Sequence, residues 1–160
     1  MLQVRVMVLT LVSGIVVATS AVQAREAHKT PALKGVKCMF CGMPVSEKYA
    51  VDYKGGKVYF GCPACPPKFN KNRAKYAAEA NAQLVATKQV RQKLCPVMGK
   101  PINPKLKMKI GDAEVYLCCP GCQKKLAQLS SDARIEKVFS NKVFAKAFAP
   151  IKHRHEPHQH

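Results

Sequence analysis

The chain is poor in acidic residues and, outside its last eight positions, in histidine. Nine Asp and Glu residues stand against 27 Lys and Arg, and His28 is the only histidine before residue 153. Nucleophilic catalysis by Ser or Cys relies on a neighbouring base, most often His. No His–Cys or Ser–His–Asp arrangement can be assembled from this inventory, so the sequence predicts a protein that is not an enzyme.

The chain also lacks a long hydrophobic run after its first 24 residues, so no later segment is predicted to cross a membrane. Those first residues predict an export signal, because Arg5 precedes an apolar run from Val6 to Val17 and the small residues before Val22-Gln23-Ala24. An uncleaved anchor is the alternative. No cysteine lies near the predicted cut, which argues against a lipid-modified N-terminus. We expect a periplasmic or extracellular protein that is not an integral membrane protein after cleavage.

The net charge is +18, and the chain after residue 24 keeps 26 of the basic and all nine acidic residues, which leaves +17. Such a charge attracts anionic surfaces. Export argues against nucleic acid, so anionic lipid, acidic polysaccharide or a polyanionic partner is the expected class of surface. The alternative is that scattered lysines simply keep a small protein in solution.

The eight cysteines fall into two copies of one pattern. Residues 38–69 align with residues 95–126 at a constant offset of 57 without a gap, and the offset also matches Gly42 with Gly99. A match kept in register over this length predicts two copies of one small module. The cysteines of module one are Cys38, Cys41, Cys62 and Cys65, and those of module two are Cys95, Cys118, Cys119 and Cys122.

The pattern predicts a small α+β fold of two tandem treble-clef or zinc-ribbon-like modules, each made of a cysteine turn, a β-hairpin and a helix. Modules this small bury little core alone and depend on disulfides or a metal. Along the chain we expect a signal peptide (1–24), a flexible leader (25–36), module one (37–71), a helical connector (72–93), module two (94–129), a C-terminal helical segment (130–150) and a His-rich tail (151–160).

Two hairpins and one long helix are the clearest elements of this pattern. Alternating strands flank Lys54-Gly55-Gly56 in module one and Gly111-Asp112 in module two, which predicts a hairpin in each. The helix after the first hairpin is predicted to continue from Pro67 through the alanine-rich stretch to Ala86.

The C-terminal segment is predicted to be helical. Ser130-Ser131-Asp132 is a capping sequence. Apolar residues then recur at helical spacing from Ile135 to Phe148, and Pro150 is expected to end the helix. We interpret the apolar stripe as packing against the modules, with a docking helix as the alternative.

The cysteines favour metal binding. Two thiolates from a turn and two from a helix start can surround one ion tetrahedrally, and the helix dipole favours the thiolate form. Module one offers two C-x-x-C pairs, which indicates Zn(II) in a closed structural site. In module two, Met98 stands where module one has Cys41, and Cys118 stands where module one has Gly61.

The methionine makes Cu(I) the rival metal in module two, because a thioether suits Cu(I) better than Zn(II). Core packing is the alternative role of Met98. With one thiolate fewer in its turn, module two is expected to exchange its metal more readily than module one. If Met98 packs in the core, either Cys95, Cys118, Cys119 and Cys122 form the set of four, or only one of the adjacent Cys118 and Cys119 binds. Adjacent cysteines rarely bind one ion together, because extended backbone points neighbouring side chains apart.

The segments Cys95-Pro-Val-Met-Gly-Lys-Pro-Ile and Val115-Tyr-Leu-Cys-Cys-Pro-Gly-Cys122 resemble the YHS/TRASH heavy-metal-binding domains, and so do Cys41-Gly-Met-Pro-Val and Val58-Tyr-Phe-Gly-Cys62. The resemblance covers about 64 of the 160 residues and every cysteine. It implies a small treble-clef-like fold that binds a soft or borderline metal through cysteines. The family often spaces its last ligands as C-x-x-x-C, which module two matches and module one does not.

The predicted function is therefore metal sequestration, sensing or transfer, with the metal ion and an envelope metal transporter or anionic surface as partners. A thiol–disulfide oxidoreductase is one alternative, because Cys62-Pro-Ala-Cys65 lies between a strand and a helix as in thioredoxins. The βα unit that a thioredoxin fold needs upstream is missing. A disulfide-stabilised interaction module is the other alternative, since an exported chain meets an oxidising compartment.

Four histidines in the tail form a second set of metal ligands. Imidazoles at this spacing can gather around Cu(II), Ni(II) or Zn(II) without prior folding. The alternatives are a polar chain end or a remnant of a purification tag. The residues are His153, His155, His158 and His160.

Overall fold

The computed structural model describes residues 32–151. The predicted signal peptide and its cleavage site, the leader up to residue 31 and the histidines of the tail lie outside the described residues. Within residues 32–151 the chain forms a small α+β fold of five helices and three two-stranded antiparallel sheets. No helix in this part of the chain is both long and apolar enough to cross a membrane.

The elements follow one another in the order β1 (Ser46–Tyr53), β2 (Gly56–Phe60), α1 (Cys65–Lys71), α2 (Ala77–Ala86), β3 (Val90–Gln92), β4 (Asn103–Ile110), β5 (Ala113–Leu117), α3 (Pro120–Ala127), α4 (Ser131–Phe139), α5 (Asn141–Ala147) and β6 (Phe148–Pro150).

Both predicted hairpins are confirmed, since β1 pairs with β2 and β4 pairs with β5, each antiparallel. The two hairpins share an irregularity that the sequence did not indicate. The pairing register shifts between Ser46 and Ala50 in β1, and again between Asn103 and Lys107 in β4, at positions 57 residues apart. The sequence repeat is thus also a repeat of backbone geometry, including the position of the register shift.

The predicted unbroken helix from Pro67 to Ala86 is wrong. Helix α1 ends at Lys71 and α2 begins at Ala77. The Asn72 side-chain oxygen accepts the N–H of Lys75 at 3.2 Å, a bond that competes with helical pairing as Asn side chains often do. The chain therefore turns between the two helices, and α2 contacts the β2 strand of module one.

The predicted C-terminal helix also divides. Helix α4 ends at Phe139, because Ser140 adopts an extended ψ of 149° and is the N-cap residue that precedes α5. The predicted end at Pro150 is wrong, since α5 stops at Ala147 and the last residues form β6, which pairs antiparallel with β3. The predicted cap is confirmed, with the Ser130 hydroxyl accepting the N–H of Ala133 at 3.3 Å.

One hydrophobic core joins the two modules. Helix α2 lies between them and contacts β2, β5 and α4. Its Leu84 is fully buried in a cluster that includes Phe60 and Phe69 from module one and Leu117 and Leu126 from module two. The apolar stripe of α4 and α5 belongs to the same cluster, which supports its interpretation as packing.

Glutamine side chains pair the outer edges of the short hairpins. Gln83 of α2 accepts the Tyr59 N–H at 2.6 Å and donates to the Tyr59 carbonyl at 2.8 Å. Gln92 of β3 makes the same two bonds to Tyr116, at 2.9 and 2.7 Å. Strands β2 and β5 each have a hairpin partner on one side only. On the other side, the glutamine amide takes the place of a neighbouring strand and pairs the backbone N–H and carbonyl groups of the tyrosine.

Candidate metal centres

The structure brings three thiols of module one together. The sulfur atoms of Cys38, Cys41 and Cys65 all lie within 4.8 Å of one another. Cys38 lies in the turn before β1, and Cys65 is the first residue of α1. The fourth predicted ligand, Cys62, places its sulfur 3.1 Å from that of Cys65. Three of the four cysteines predicted for module one thus form one cluster, and Cys62 adjoins it through Cys65.

Module two forms a corresponding cluster. The sulfur atoms of Cys95, Cys118 and Cys122 lie within 4.8 Å of one another. Cys118 and Cys119 both place their sulfur atoms 3.6 Å from that of Cys122. The two adjacent cysteines therefore converge on one neighbour, although extended backbone alone would point them apart. The helix that begins at Pro120 bends the chain so that both thiols reach Cys122.

Each turn closes in the same way. In module one the Cys38 N–H donates to the carbonyl of Met43 at 2.8 Å, and the Gly42 N–H donates to the carbonyl of Cys38 at 2.9 Å. Module two repeats both bonds 57 residues later. Gly42 has a φ of +67° and Gly99 one of +66°, a left-handed conformation that glycine adopts without penalty. The backbone conformation thus explains why both copies of the repeat have glycine at this position.

The turns also surround the first thiol of each module with N–H groups. Burial disfavours the charged form of Cys38, but the N–H groups of Cys41, Gly61 and Phe40 donate to its sulfur, and the net effect lowers the pKa of this thiol. N–H groups at the equivalent positions of module two lower the pKa of Cys95 in the same way. Such donors stabilise a thiolate, the form that binds metals.

At the start of α1 and of α3, the pKa of one thiol is lowered, which favours the thiolate, and the pKa of another thiol is raised. A hydrogen bond with the Cys65 thiol lowers the pKa of Cys62, and the N–H of Cys122 lowers the pKa of Cys119. Burial raises the pKa of Cys65 and of Cys122. Without a cation, these neighbouring thiols cannot all be charged together. A bound metal would supply that positive charge and release the remaining protons.

The distances fit a metal that takes thiolates tetrahedrally. With Zn–S bonds of about 2.3 Å, sulfur atoms around one zinc lie about 3.8 Å apart. The clusters, within 4.8 Å, are close to this spacing before any adjustment of side chains. Both sets of thiols are therefore suited to a soft or borderline metal ion, and their spacing does not choose between zinc and copper.

Exposure separates the two centres. Cys41 is exposed, whereas the corresponding third thiol of module two, Cys118, is only partly exposed. The expected closed Zn(II) site of module one stays a prediction, and one of its four thiols is accessible from solvent. Met98 has 52% of its surface exposed, so its interpretation as core packing is wrong. Its remaining predicted role, as a soft ligand in the turn, stays a prediction.

The eight cysteines are free thiols in the structure. Comparison with protein-family models, with curated proteins and with solved structures finds no match to this chain. The arrangement of the thiols therefore carries the functional interpretation.

Two features of the centres had no clear signal in the sequence. The N–H groups that point at Cys38 come partly from Gly61, which is 23 positions away and meets the turn only in the folded chain. The convergence of Cys118 and Cys119 on Cys122 depends on the directions of their side chains where β5 meets α3, which the residue pattern does not specify.

Proposed function

We propose that the protein is an exported metal-binding protein that holds a soft or borderline metal in two cysteine centres and sequesters it, senses it or passes it on. Zn(II) is the default ion, and Cu(I) is the rival in module two. The observation that carries the proposal is that three thiols from the two ends of a module meet within 4.8 Å, once in each module and at nearly equivalent places.

The architecture around each centre supports this proposal. In each module a cysteine turn, a hairpin and the N-terminus of a helix surround the thiols, which is the plan of a treble-clef site. The resemblance of the two segments to YHS/TRASH domains points to the same class of ligand. We propose both the treble-clef assignment and the family relationship on these grounds.

Export and partners belong to the same proposal. The N-terminal sequence supports delivery to the periplasm or the exterior, where a metal-binding protein would exchange its ion with an envelope transporter. Across the described residues only two of the lysines form ion pairs with acidic groups, Lys57 with Asp52 and Lys107 with Glu114. The remaining basic surface supports contact with an anionic surface.

A thiol–disulfide oxidoreductase is the second candidate, because Cys62 and Cys65 form a C-x-x-C pair at a helix start with sulfur atoms 3.1 Å apart and a lowered pKa at Cys62. The fold argues against it. The described residues contain only two-stranded antiparallel sheets, whereas a thioredoxin-like enzyme places this pair at the end of a strand in a larger sheet.

Native mass spectrometry of the protein isolated from its exported fraction tests the proposal. We expect a mass that corresponds to eight reduced cysteines plus bound metal. A chain that carries no metal and is lighter by two hydrogens for each disulfide would overturn it. Turnover in an insulin-reduction assay would favour the oxidoreductase instead.

A further inference from the structure

The third thiol of each centre comes from a different position of the repeat. In module one it is Cys41, in the turn, and in module two it is Cys118, at the junction of β5 and α3. The offset of 57 pairs Cys41 with Met98 and Cys118 with Gly61. Each module therefore has a cysteine at one of these two positions and a residue without a thiol at the other.

These two positions are neighbours in space. A Cβ atom placed on Gly61 would lie 3.1 Å from the Cys41 sulfur and 2.9 Å from the Cβ of Met43. Both distances are shorter than ordinary contacts between such atoms. A cysteine at position 61 would therefore enter the space that the Cys41 thiol now occupies, and the two thiols could not both keep their present places.

The two thiols also have the same neighbours. Cys41 clusters with Cys38 and Cys65, while Cys118 clusters with Cys95 and Cys122, the residues 57 positions after those two. The repeat thus keeps three cysteines at fixed positions, Cys38/Cys95, Cys62/Cys119 and Cys65/Cys122, and moves the third thiol of each cluster between two sites on the chain. The sequence showed these as two unrelated departures from the repeat.

We propose that each module has a single position for its third metal-binding thiolate, which residue 41 supplies from the turn in module one and residue 118 supplies from the strand end in module two. Either combination of residues, Cys41 with Gly61 or Met98 with Cys118, then places one thiolate at the same position of the metal centre. This inference rests on the proposed metal-binding function and adds to it the identity of the group that makes the two centres equivalent.

The consequence for exchange follows from exposure. The third thiolate of module one is on an exposed turn, where an incoming thiol can replace it on the metal while Cys41 leaves and takes up a proton. In module two the exposed turn position holds the thioether of Met98 instead. Moving the thiol from one position to the other should therefore change how accessible this ligand is to an incoming thiol, while the centre still binds its metal.

Cys118→Gly and Met98→Cys test the inference in module two, because Met98 is exposed and a smaller side chain fits there without strain. In the full-length reduced chain, Cys118→Gly should weaken the module two centre for Zn(II) by on the order of 100-fold in a chelator competition. The double variant Met98→Cys/Cys118→Gly should recover affinity to within about tenfold of the wild type. Co(II) absorption, which reports the number of bound thiolates, should show the same loss and recovery.

A thiol-count control is Lys109→Cys/Cys118→Gly, which restores the number of cysteines at an exposed position of β4. It should bind no better than Cys118→Gly. The reverse exchange, Cys41→Met/Met43→Lys/Gly61→Cys, gives module one the residues of module two at these positions. Met43 is replaced as well because it lies next to Gly61. This variant should still bind two metal ions per chain.

The outcomes separate two failures. If the wild type binds metal but Met98→Cys/Cys118→Gly binds no better than its thiol-count control, while module one still takes its ion, the shared third position is overturned. Should that variant fail to fold, loss of the second metal ion in the reverse exchange would overturn it equally. A wild-type chain that binds no metal when reduced would overturn the proposed function and this inference with it.

Discussion

Replacement of Cys41 by serine separates the metal ligand from the fold of module one. Cys41 is exposed, so its side chain contributes little packing, whereas Cys65 at the same centre is only 3% exposed. Exposed substitutions usually change the free energy of unfolding by less than about 0.5 kcal/mol. We expect the metal-free Cys41→Ser variant to unfold at the same denaturant concentration as the metal-free wild type.

The loss should appear only with metal present. Structural zinc sites contribute about 10–16 kcal/mol of binding free energy through four ligands, so one ligand accounts for about 3 kcal/mol. This corresponds to a weakening of Zn(II) binding by about 100-fold. Since a bound ligand stabilises the folded chain in proportion to the logarithm of its affinity, the zinc-dependent rise in the unfolding midpoint should shrink accordingly.

The assay is a Zn(II) competition titration combined with urea unfolding, with and without zinc. Met43→Ser is the matched control, because Met43 is an exposed residue of the same turn and has no thiol. It should leave zinc affinity unchanged. Wild-type affinity in Cys41→Ser would show that Cys41 is not a ligand, and a large destabilisation of its metal-free form would show that its role is structural.

Three further predictions concern the fold and the protonation of the centres. Gln83→Leu leaves the Tyr59 backbone groups unpaired in the interior and should destabilise the metal-free protein by about 1–3 kcal/mol in urea, unlike the exposed Gln128→Leu. An unchanged midpoint would show that the edge needs no partner. Gly42→Ala should lower stability by about 1–2 kcal/mol through its φ of +67° alone, since no atom lies within 4 Å of the added carbon, and a neutral effect by thermal unfolding would contradict this. Metal affinity should fall as the pH decreases, beginning above neutrality, because protons compete for the thiolates and burial raises the pKa of Cys65 and Cys122 above that of an ordinary thiol; a titration that finds affinity independent of pH would exclude thiolate ligands.

The repeated part of the fold could be predicted from the sequence because its signals are local. Glycine in the turns, alternating strands and the hairpin turns at Lys54-Gly55 and Gly111-Asp112 each act over a few residues. Each of these signals also occurs twice, once in each module, so that the two copies support the same prediction. The same holds for the eight thiols, since their spacing around a hairpin brings the two ends of each module together.

The remainder depends on contacts between distant residues. The pairing of β3 with β6 joins two strands of three residues each, too short to show a period, and Phe148 therefore looked like the end of a helix. The break between α1 and α2 lies in an otherwise helical composition, where the Lys75 N–H donates to the side chain of Asn72. The short distance between Gly61 and Cys41 could not be predicted, because the repeat aligns Gly61 with Cys118 and Cys41 with Met98 and does not relate the two pairs.

The metal content of the reduced, full-length chain tests the central claim most directly. Native mass spectrometry after zinc titration should find two Zn(II) per wild-type chain, and one in each of Cys38→Ser/Cys41→Ser and Cys95→Ser/Cys118→Ser. Combining all four substitutions should remove both ions, apart from any metal on the histidine tail, which removal of residues 152–160 controls for. A wild-type chain that binds no zinc, or variants that each keep both ions, would contradict the assignment of one thiolate centre to each module.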